Sequence, residues 1–123
     1  MVTPSKLWVP DRRDMIWIDF SPQAGAEMKD EHPMMVLSPK AFNERTNIVI
    51  GLPMTHAASN EFNPFAVRFQ SPKGEFCYVL AHQPKSFAWR SRGARPHPWK
   101  QVPPAVFESA CEELNGIISI GSS

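Results

Sequence analysis

Thirteen prolines are spread through this chain of 123 residues, from Pro4 to Pro104, and they constrain the fold more than any other feature. A proline inside a helix removes a backbone hydrogen bond and clashes with the preceding turn. A helical bundle is therefore disfavoured, and a small β protein with many turns is predicted. A chain of this length can bury one hydrophobic core, so we expect a single domain over residues 1–123.

Six apolar or alternating segments are predicted as strands, at residues 15–20, 34–38, 47–54, 64–69, 76–81 and 86–89. The turn "SPKGE" between the fourth and fifth predicts a hairpin, and Gly51 indicates a bulge or a close backbone approach. The tail differs, because apolar residues recur there at helical spacing. These residues predict one amphipathic helix packed on a small barrel: Val106, Phe107, Ala110, Leu114, Ile117 and Ile118.

The bulk composition is that of an ordinary globular protein, with 42% hydrophobic and 20% charged residues. No apolar run reaches membrane-spanning length, and the N-terminus lacks the pattern of a signal peptide, so a cytoplasmic location is expected. Cys77 and Cys111 are far apart and form no zinc motif, so both are interpreted as small buried hydrophobes.

The distribution of charge is more informative than the net charge of +1. Residues 76–107 contain no acidic residue but carry Lys85, Arg90, Arg92, Arg95 and Lys100. Aromatic residues are interleaved with these cations, a pattern typical of a surface that binds a phosphate backbone and stacks bases. A solvated basic face is the alternative interpretation.

The segment "KDEHPMMVLS" joins a charged run to an apolar one. Because Pro33 cannot donate to a β ladder, the strand is expected to begin at Met34 and His32 to lie at a junction between loop and strand. Such junctions often present functional side chains, and histidine can exchange a proton near neutral pH.

Several segments in order resemble the MazF/PemK family of toxin–antitoxin endoribonucleases. They are "VPDRRDMIWIDFSPQAGAE", "HPMMVLSPKAFN", "PMTH", "NPFAV" and "LAHQPKSFAWRSRG", and they run from about Val9 to Gly93. The resemblance implies a mainly β fold, an SH3-like barrel with a C-terminal helix. It also implies a homodimeric toxin that cuts single-stranded RNA without a metal or other cofactor. The cut would proceed by attack of a ribose 2′-hydroxyl, leaving a 2′,3′-cyclic phosphate and a 5′-hydroxyl. A MazE-like antitoxin with an acidic C-terminal segment would be its second partner.

The resemblance also implies catalytic residues, and two of them depart from the family pattern. His32 occupies the place of an arginine thought to stabilise or protonate the reacting phosphate, and His82 replaces the aspartate of Leu-Ala-Asp-Gln. Thr55 retains the family threonine, and Glu27 retains the loop glutamate. We therefore predict that His32, Thr55, His82 and Glu27 are catalytic.

The predicted RNA-binding residues are Lys29, His56, Gln83, Lys85, Arg90 and Arg92. His56 takes the place of a second threonine or serine, whereas His97, within "RPHPWK", is interpreted as a turn residue without a role. The alternative is a purely structural role: a hydroxyl bonded to the backbone for Thr55, and packing in the core or in a dimer interface for the tryptophans.

Three interpretations of the histidines remain open. His32 and His82 form a rebuilt acid–base pair, or the barrel has lost its chemistry and binds only RNA or antitoxin, or both changes are neutral and Thr55 acts with a cation such as Lys29 or Lys85. A fourth comes from another class: CcdB-type toxins share this barrel and bind DNA gyrase without catalysis. We favour the first.

Overall fold

The structure is a computed structural model, and it describes residues 7–21 and 30–119. Seven strands, two α-helices and one 3₁₀ helix make up this part of the chain. In chain order they are β1 (Asp14–Asp19), β2 (Glu31–Val36), α1 (Lys40–Thr46), β3 (Ile48–Thr55), the 3₁₀ helix (Ala58–Phe62), β4 (Ala66–Gln70), β5 (Phe76–Leu80), β6 (Lys85–Ala88), β7 (Arg95–Gln101) and α2 (Pro104–Ile118). None of the helices in the described ranges is long and apolar enough to cross a membrane.

The strands form one antiparallel sheet in the order β4-β5-β3-β2-β1-β7. Strand β3 is its centre, because its first half pairs with β6 and its last two residues pair with β5. The sheet curls into a half-barrel that carries α2, so the predicted mainly β fold with a C-terminal helix is confirmed. The predicted hairpin is also confirmed, as β4 and β5 pair from Ala66↔Leu80 to Gln70↔Phe76.

Alternation of side chains along the strands gives the sheet two apolar faces. One face, which includes Met15, Met35 and Leu52, packs against α2 through Val106, Phe107 and Leu114. The other face is built from Ile16, Ile18, Met34, Val36, Val49 and Trp89. Because β2 and β3 contribute to both faces, their register decides which residues reach each side of the sheet.

Close packing at Gly51 holds β2 and β3 in register. The pairs are Met34↔Pro53, Met35↔Leu52 and Val36↔Gly51. A β-carbon at position 51 would lie 2.5 Å from the Met35 carbonyl oxygen and 2.8 Å from Met34 Cγ. The predicted close backbone approach at Gly51 is therefore confirmed.

The predicted start of β2 is wrong, since the strand begins at Glu31 and includes both His32 and Pro33. The Phe20 N–H donates to the Asp30 carbonyl, so Ile18↔His32 is a hydrogen-bonded pair and Trp17↔Pro33 is not. The Pro33 nitrogen therefore points away from β1 and toward β3. Pairing between β2 and β3 begins only at Met34, one residue later. The missing N–H of proline costs no ladder bond at this place.

Strand β7 was missed by sequence reasoning, and the interpretation of His97 as a turn residue is wrong. Prolines at positions 96 and 98 hide the strand pattern in the sequence, but β7 lies at the edge of the sheet and, among the described strands, pairs only with β1. An edge strand tolerates proline, because one side of its backbone makes no ladder bonds. Helix α1 was also missed, because it spans only the seven residues Lys40–Thr46.

The C-terminal helix was predicted nearly to its bounds. It begins at Pro104, whose missing N–H is harmless in the first turn, and Ala110 is fully buried. Its apolar stripe is shorter than predicted, because Ile117 and Ile118 are exposed. Both cysteines are free; Cys77 is buried and Cys111 half-buried.

Candidate active site and RNA interface

A cavity of about 280 Å³ opens where β3 ends, on the sheet face that includes Met54 and Cys77. Trp17 and Pro33 contribute from β1 and β2, and His97, Pro98 and Trp99 contribute from β7. Thr55 and His56 lie at its rim, with Lys73 and Glu75 from the turn between β4 and β5. We call this cavity the Thr55 cavity.

The chain leaves β3 at Thr55, and local hydrogen bonds fix this corner. The Thr55 Oγ1 accepts the Ala57 N–H at 3.1 Å, which leaves the hydroxyl hydrogen free to donate. The His56 Nδ1 lies 3.2 Å from the Phe76 carbonyl oxygen and 3.6 Å from Cys77 Sγ. Because a carbonyl only accepts, Nδ1 carries the hydrogen, and the neutral ring presents a basic Nε2. The corner thus offers a hydroxyl donor beside a potential general base.

His97 was missed as a site residue, yet it lies in the wall of the Thr55 cavity between two tryptophans. Its ring stacks on Trp17 with centroids 5.0 Å apart and an interplanar angle of 23°, and its centroid lies 4.7 Å from that of Trp99. Burial, assisted by the charges of Arg95 and His56, lowers the pKa of His97. The only sequence signal available was that His97 lies two positions before Trp99.

His32 lies on the opposite sheet face from Pro33, next to Phe20, with ring centroids 5.6 Å apart. Its Nε2 donates to Asp30 Oδ1 at 2.6 Å. Continuing the β2–β3 register by two residues beyond Met34↔Pro53 sets His32 opposite Thr55. Thr55 therefore lies between the face that carries His32 and the cavity that carries His56.

His82 lies in the turn closed by the Gln83 N–H and the Leu80 carbonyl, between β5 and β6, both of which pair with β3. Val79 pairs with Met54 and Lys85 pairs with Gly51, so this turn runs alongside the part of β3 just before Thr55. Among the described residues, no hydrogen bond or aromatic contact joins His82 to His32. Their joint action as an acid–base pair stays a prediction.

The His82 ring has its own surroundings. Its Nε2 lies 3.2 Å from the Gln83 side-chain nitrogen, and its ring contacts Phe65. The His82 Nδ1 is enclosed and has no hydrogen-bond partner within the described ranges.

Two of the predicted RNA-binding cations are held by contacts within the chain. Arg92 donates to the carbonyl oxygens of Asp19 and Ser21 at 3.0 and 2.6 Å and lies over the Phe87 ring. Arg90 lies over Trp89 and donates to Asn47 Oδ1 at 2.6 Å. Each guanidinium has five N–H donors, so both retain donors for phosphate.

Lys85 is exposed at the start of β6, opposite Gly51. Glu27 and Lys29 lie outside the described residues, so their predicted roles are not addressed by the structure.

Asp19 anchors the chain next to His32. Hydrogen bonds from Ser21, followed by those from Asp30 and the charge of Arg92, lower the pKa of this carboxyl group. Glu31 forms an ion pair with Arg95 at 3.0 Å, and the Arg95 guanidinium lies over the Trp17 ring. The negative charge of the carboxylates beside His32 is thus partly offset by two arginines.

Comparison with known proteins gives concordant results. Residues 11–118 match the family model described as "PemK-like, MazF-like toxin of type II toxin-antitoxin system". The chain is 39% identical over 87 residues to the "Endoribonuclease toxin MazF" of Escherichia coli K12, and the alignment covers 71% of this chain and 76% of that protein.

Solved structures agree with the sequence comparison. The crystal structure of MazF (Form-I) from Deinococcus radiodurans superposes with a TM-score of 0.77 at 33% identity, covering 92% of this chain and 99% of that one. MazE-MazF (Form-II) from the same organism gives a TM-score of 0.79 at 32% identity, with coverage of 93% and 99%.

Proposed function

The chain belongs to the PemK-like, MazF-like toxins of type II toxin–antitoxin systems, and we propose that it is an endoribonuclease that cuts single-stranded RNA at short sequences. The relative from Escherichia coli K12 carries the name of an endoribonuclease toxin, which supports the assignment. One observation carries it for this chain: Thr55, the threonine of the family motif, lies with His56 at the rim of a cavity lined by tryptophans. We propose that each chain is a single toxin domain and that the toxin acts in the cytoplasm.

The proposed reaction is attack of a ribose 2′-hydroxyl on the adjacent phosphorus. The P–O5′ bond breaks, leaving a 2′,3′-cyclic phosphate on one fragment and a 5′-hydroxyl on the other. The step needs a base for the 2′-hydroxyl proton, an acid for the departing 5′-oxygen, and donors on the phosphorane oxygens.

We assign the base to His56, because its Nδ1–H is held by the Phe76 carbonyl and its Nε2 is available beside Thr55. Thr55 donates its hydroxyl to a phosphate oxygen. We assign the acid to His32, which is hydrogen-bonded to Asp30 and delivers a proton to the 5′-oxygen from the other side of Thr55. His82 remains the alternative base; His56 is preferred because it directly follows Thr55 in the chain.

The proposed partners follow the same reasoning. The Deinococcus radiodurans relative is solved with MazE, and this chain would bind a cognate antitoxin in the same way. Residues 76–107 carry no acidic residue, so an acidic antitoxin segment and RNA would compete for this basic surface. We also propose that the chain forms a homodimer.

The test is cleavage of synthetic single-stranded RNA by the purified protein in the presence of EDTA, with both new ends identified. We expect 5′-hydroxyl ends, which accept labelled phosphate without prior dephosphorylation, and 2′,3′-cyclic phosphates. Thr55→Val should lower the rate about 10²–10³-fold, the usual cost of losing one donor to a developing oxyanion. Thr46→Val, at the distant end of α1, is the matched control. Intact RNA, or 5′-phosphate ends, would overturn the proposal.

A further inference from the structure

His97 is a buried polar residue with one ring nitrogen left for a ligand. It is only 7% exposed, and its Nδ1 accepts the Trp99 N–H at 3.1 Å. In the neutral ring the hydrogen is therefore on Nε2. That N–H has no hydrogen-bond partner among residues 7–21 and 30–119, and it is not fully enclosed by them. The Thr55 cavity, which His97 lines, is the space in which a partner can be supplied.

The walls of the cavity suit a flat aromatic ligand. Trp17 and Trp99 flank His97 and are half-buried, so each retains surface that a ligand can cover. Pro33, Met54 and Pro98 complete a mainly apolar wall. Aromatic walls with one directed donor are how proteins hold an unstacked base of single-stranded RNA.

The rim adds a preference among bases. The Glu75 carboxylate reaches this cavity, and its charge is felt at the buried Cys77 thiol, whose pKa is raised by burial first and by Glu75 second. A carboxylate accepts hydrogen bonds from an exocyclic amino group and repels a carbonyl oxygen. Adenine and cytosine present such an amino group directly beside a ring-nitrogen acceptor, whereas uracil presents carbonyl oxygens around an N–H.

We propose that the Thr55 cavity is a nucleobase pocket that selects adenine or cytosine over uracil at one position next to the cut. The His97 Nε2–H donates to the ring nitrogen, Glu75 accepts from the amino group, and Trp17 and Trp99 cover the ring. This proposal rests on the proposed endoribonuclease function. It makes His97 and Glu75 residues that determine specificity.

The experiment compares cleavage rates of oligonucleotides in which each base around one cut site is varied in turn. The parent protein should disfavour uracil at one position by about tenfold or more, as expected for a good pair of base contacts. His97→Phe keeps an aromatic ring and removes the donor, so the preferred substrate should slow by about tenfold while the uracil substrate is unchanged. Glu75→Gln supplies an amide that also donates, so it should narrow the preference. Glu108→Gln, on α2, is the matched control.

A second readout separates this proposal from the function on which it rests. Oligonucleotides with 2′-deoxyribose at the cut site cannot be cleaved by the proposed chemistry, so their binding reports on the pocket alone. Oligonucleotides with adenine or cytosine at this position should bind more tightly than those with uracil, and their binding should quench tryptophan fluorescence. Glu75→Gln, at an exposed position that folding tolerates, should weaken this preference over uracil. Unchanged base preference in both variants, in cleavage and in binding, would overturn the pocket. Loss of all cleavage with retained selective binding would instead contradict the endoribonuclease.

Discussion

Replacing Gly51 by alanine tests the register that assembles the site. The added β-carbon would lie 2.5 Å from the Met35 carbonyl oxygen, which is backbone of the neighbouring strand. To restore ordinary contact, β2 and β3 must separate by almost 1 Å, because overpacked interiors cannot absorb a methyl group without movement.

The magnitude follows from two destabilising contributions and one stabilising contribution. Overpacking costs about 1–3 kcal/mol, and a weakened ladder hydrogen bond adds about 1 kcal/mol. The smaller conformational entropy of the unfolded alanine chain returns about 0.4–1 kcal/mol. We therefore expect Gly51→Ala to lower the free energy of unfolding by about 1–3.5 kcal/mol. With a urea m-value of about 1.5 kcal/mol/M, the midpoint should fall by about 0.7–2.3 M.

Gly116→Ala is the matched control, because it makes the same chemical change in open space. Gly116 lies in α2, and nothing would lie within 4 Å of its β-carbon. Alanine there should raise the stability by about 0.5–1 kcal/mol. Urea unfolding followed by tryptophan fluorescence, at equal protein concentrations, compares both variants with the parent. Equal stability of Gly51→Ala and the parent, or shifts of the same sign in both variants, would refute the close approach.

Four further predictions concern the site and its partners. His32→Ala and His56→Ala should each slow cleavage by about 10²–10⁴-fold, whereas a His82→Ala protein that loses as much would restore His82 as the base. Arg90→Ala or Arg92→Ala should weaken RNA binding about equally for all sequences and lower the salt slope by about one unit, and a changed cleavage sequence at constant salt slope would contradict this. In gel filtration at micromolar concentration the chain should elute as a dimer, and an acidic antitoxin peptide should displace bound RNA. Because burial lowers the pKa of His97, the unfolded chain binds a proton before the folded one does, so stability should fall as the pH drops below about 6.5, and His97→Phe should flatten that decline in urea titrations.

The parts of the fold that sequence reasoning predicted are those in which hydrophobic periodicity and local chemistry agree. Strands β1, β3 and β5 are apolar and rich in β-favoured residues, and α2 begins at a proline that suits a first turn. The start of β2 and all of β7 were misjudged, because proline was interpreted as a boundary. Whether a proline interrupts a strand depends on which side of its backbone is paired, and that is a property of the assembled sheet.

The residues of the candidate site were likewise predicted only where local sequence was sufficient. Motif order identified Thr55 and His32, because both occupy fixed places beside recognisable strands. It could not show that His56 lines one cavity with Trp17 and His97, or that the turn holding His82 runs alongside β3 just before Thr55, since both facts depend on strand pairing. His97 was out of reach for a further reason: its importance comes from burial against Trp17, a residue 80 positions earlier in the chain.

The register of β2 and β3 also explains how an arginine position can hold a histidine. A strand alternates its side chains between two faces, so a slip of one residue would carry His32 away from its present face and bring it toward that of Met54 and the cavity. Gly51 blocks such a slip, because only a residue without a β-carbon fits against the Met35 carbonyl. His32 is thereby kept on the side of Thr55 away from His56, and an acid and a base on opposite sides of one phosphate are what an in-line displacement requires. Histidine is shorter than arginine, so His32 can act as the acid only while the spacing between β2 and β3 is kept. Gly51→Ala should therefore reduce cleavage even under conditions in which the protein remains folded.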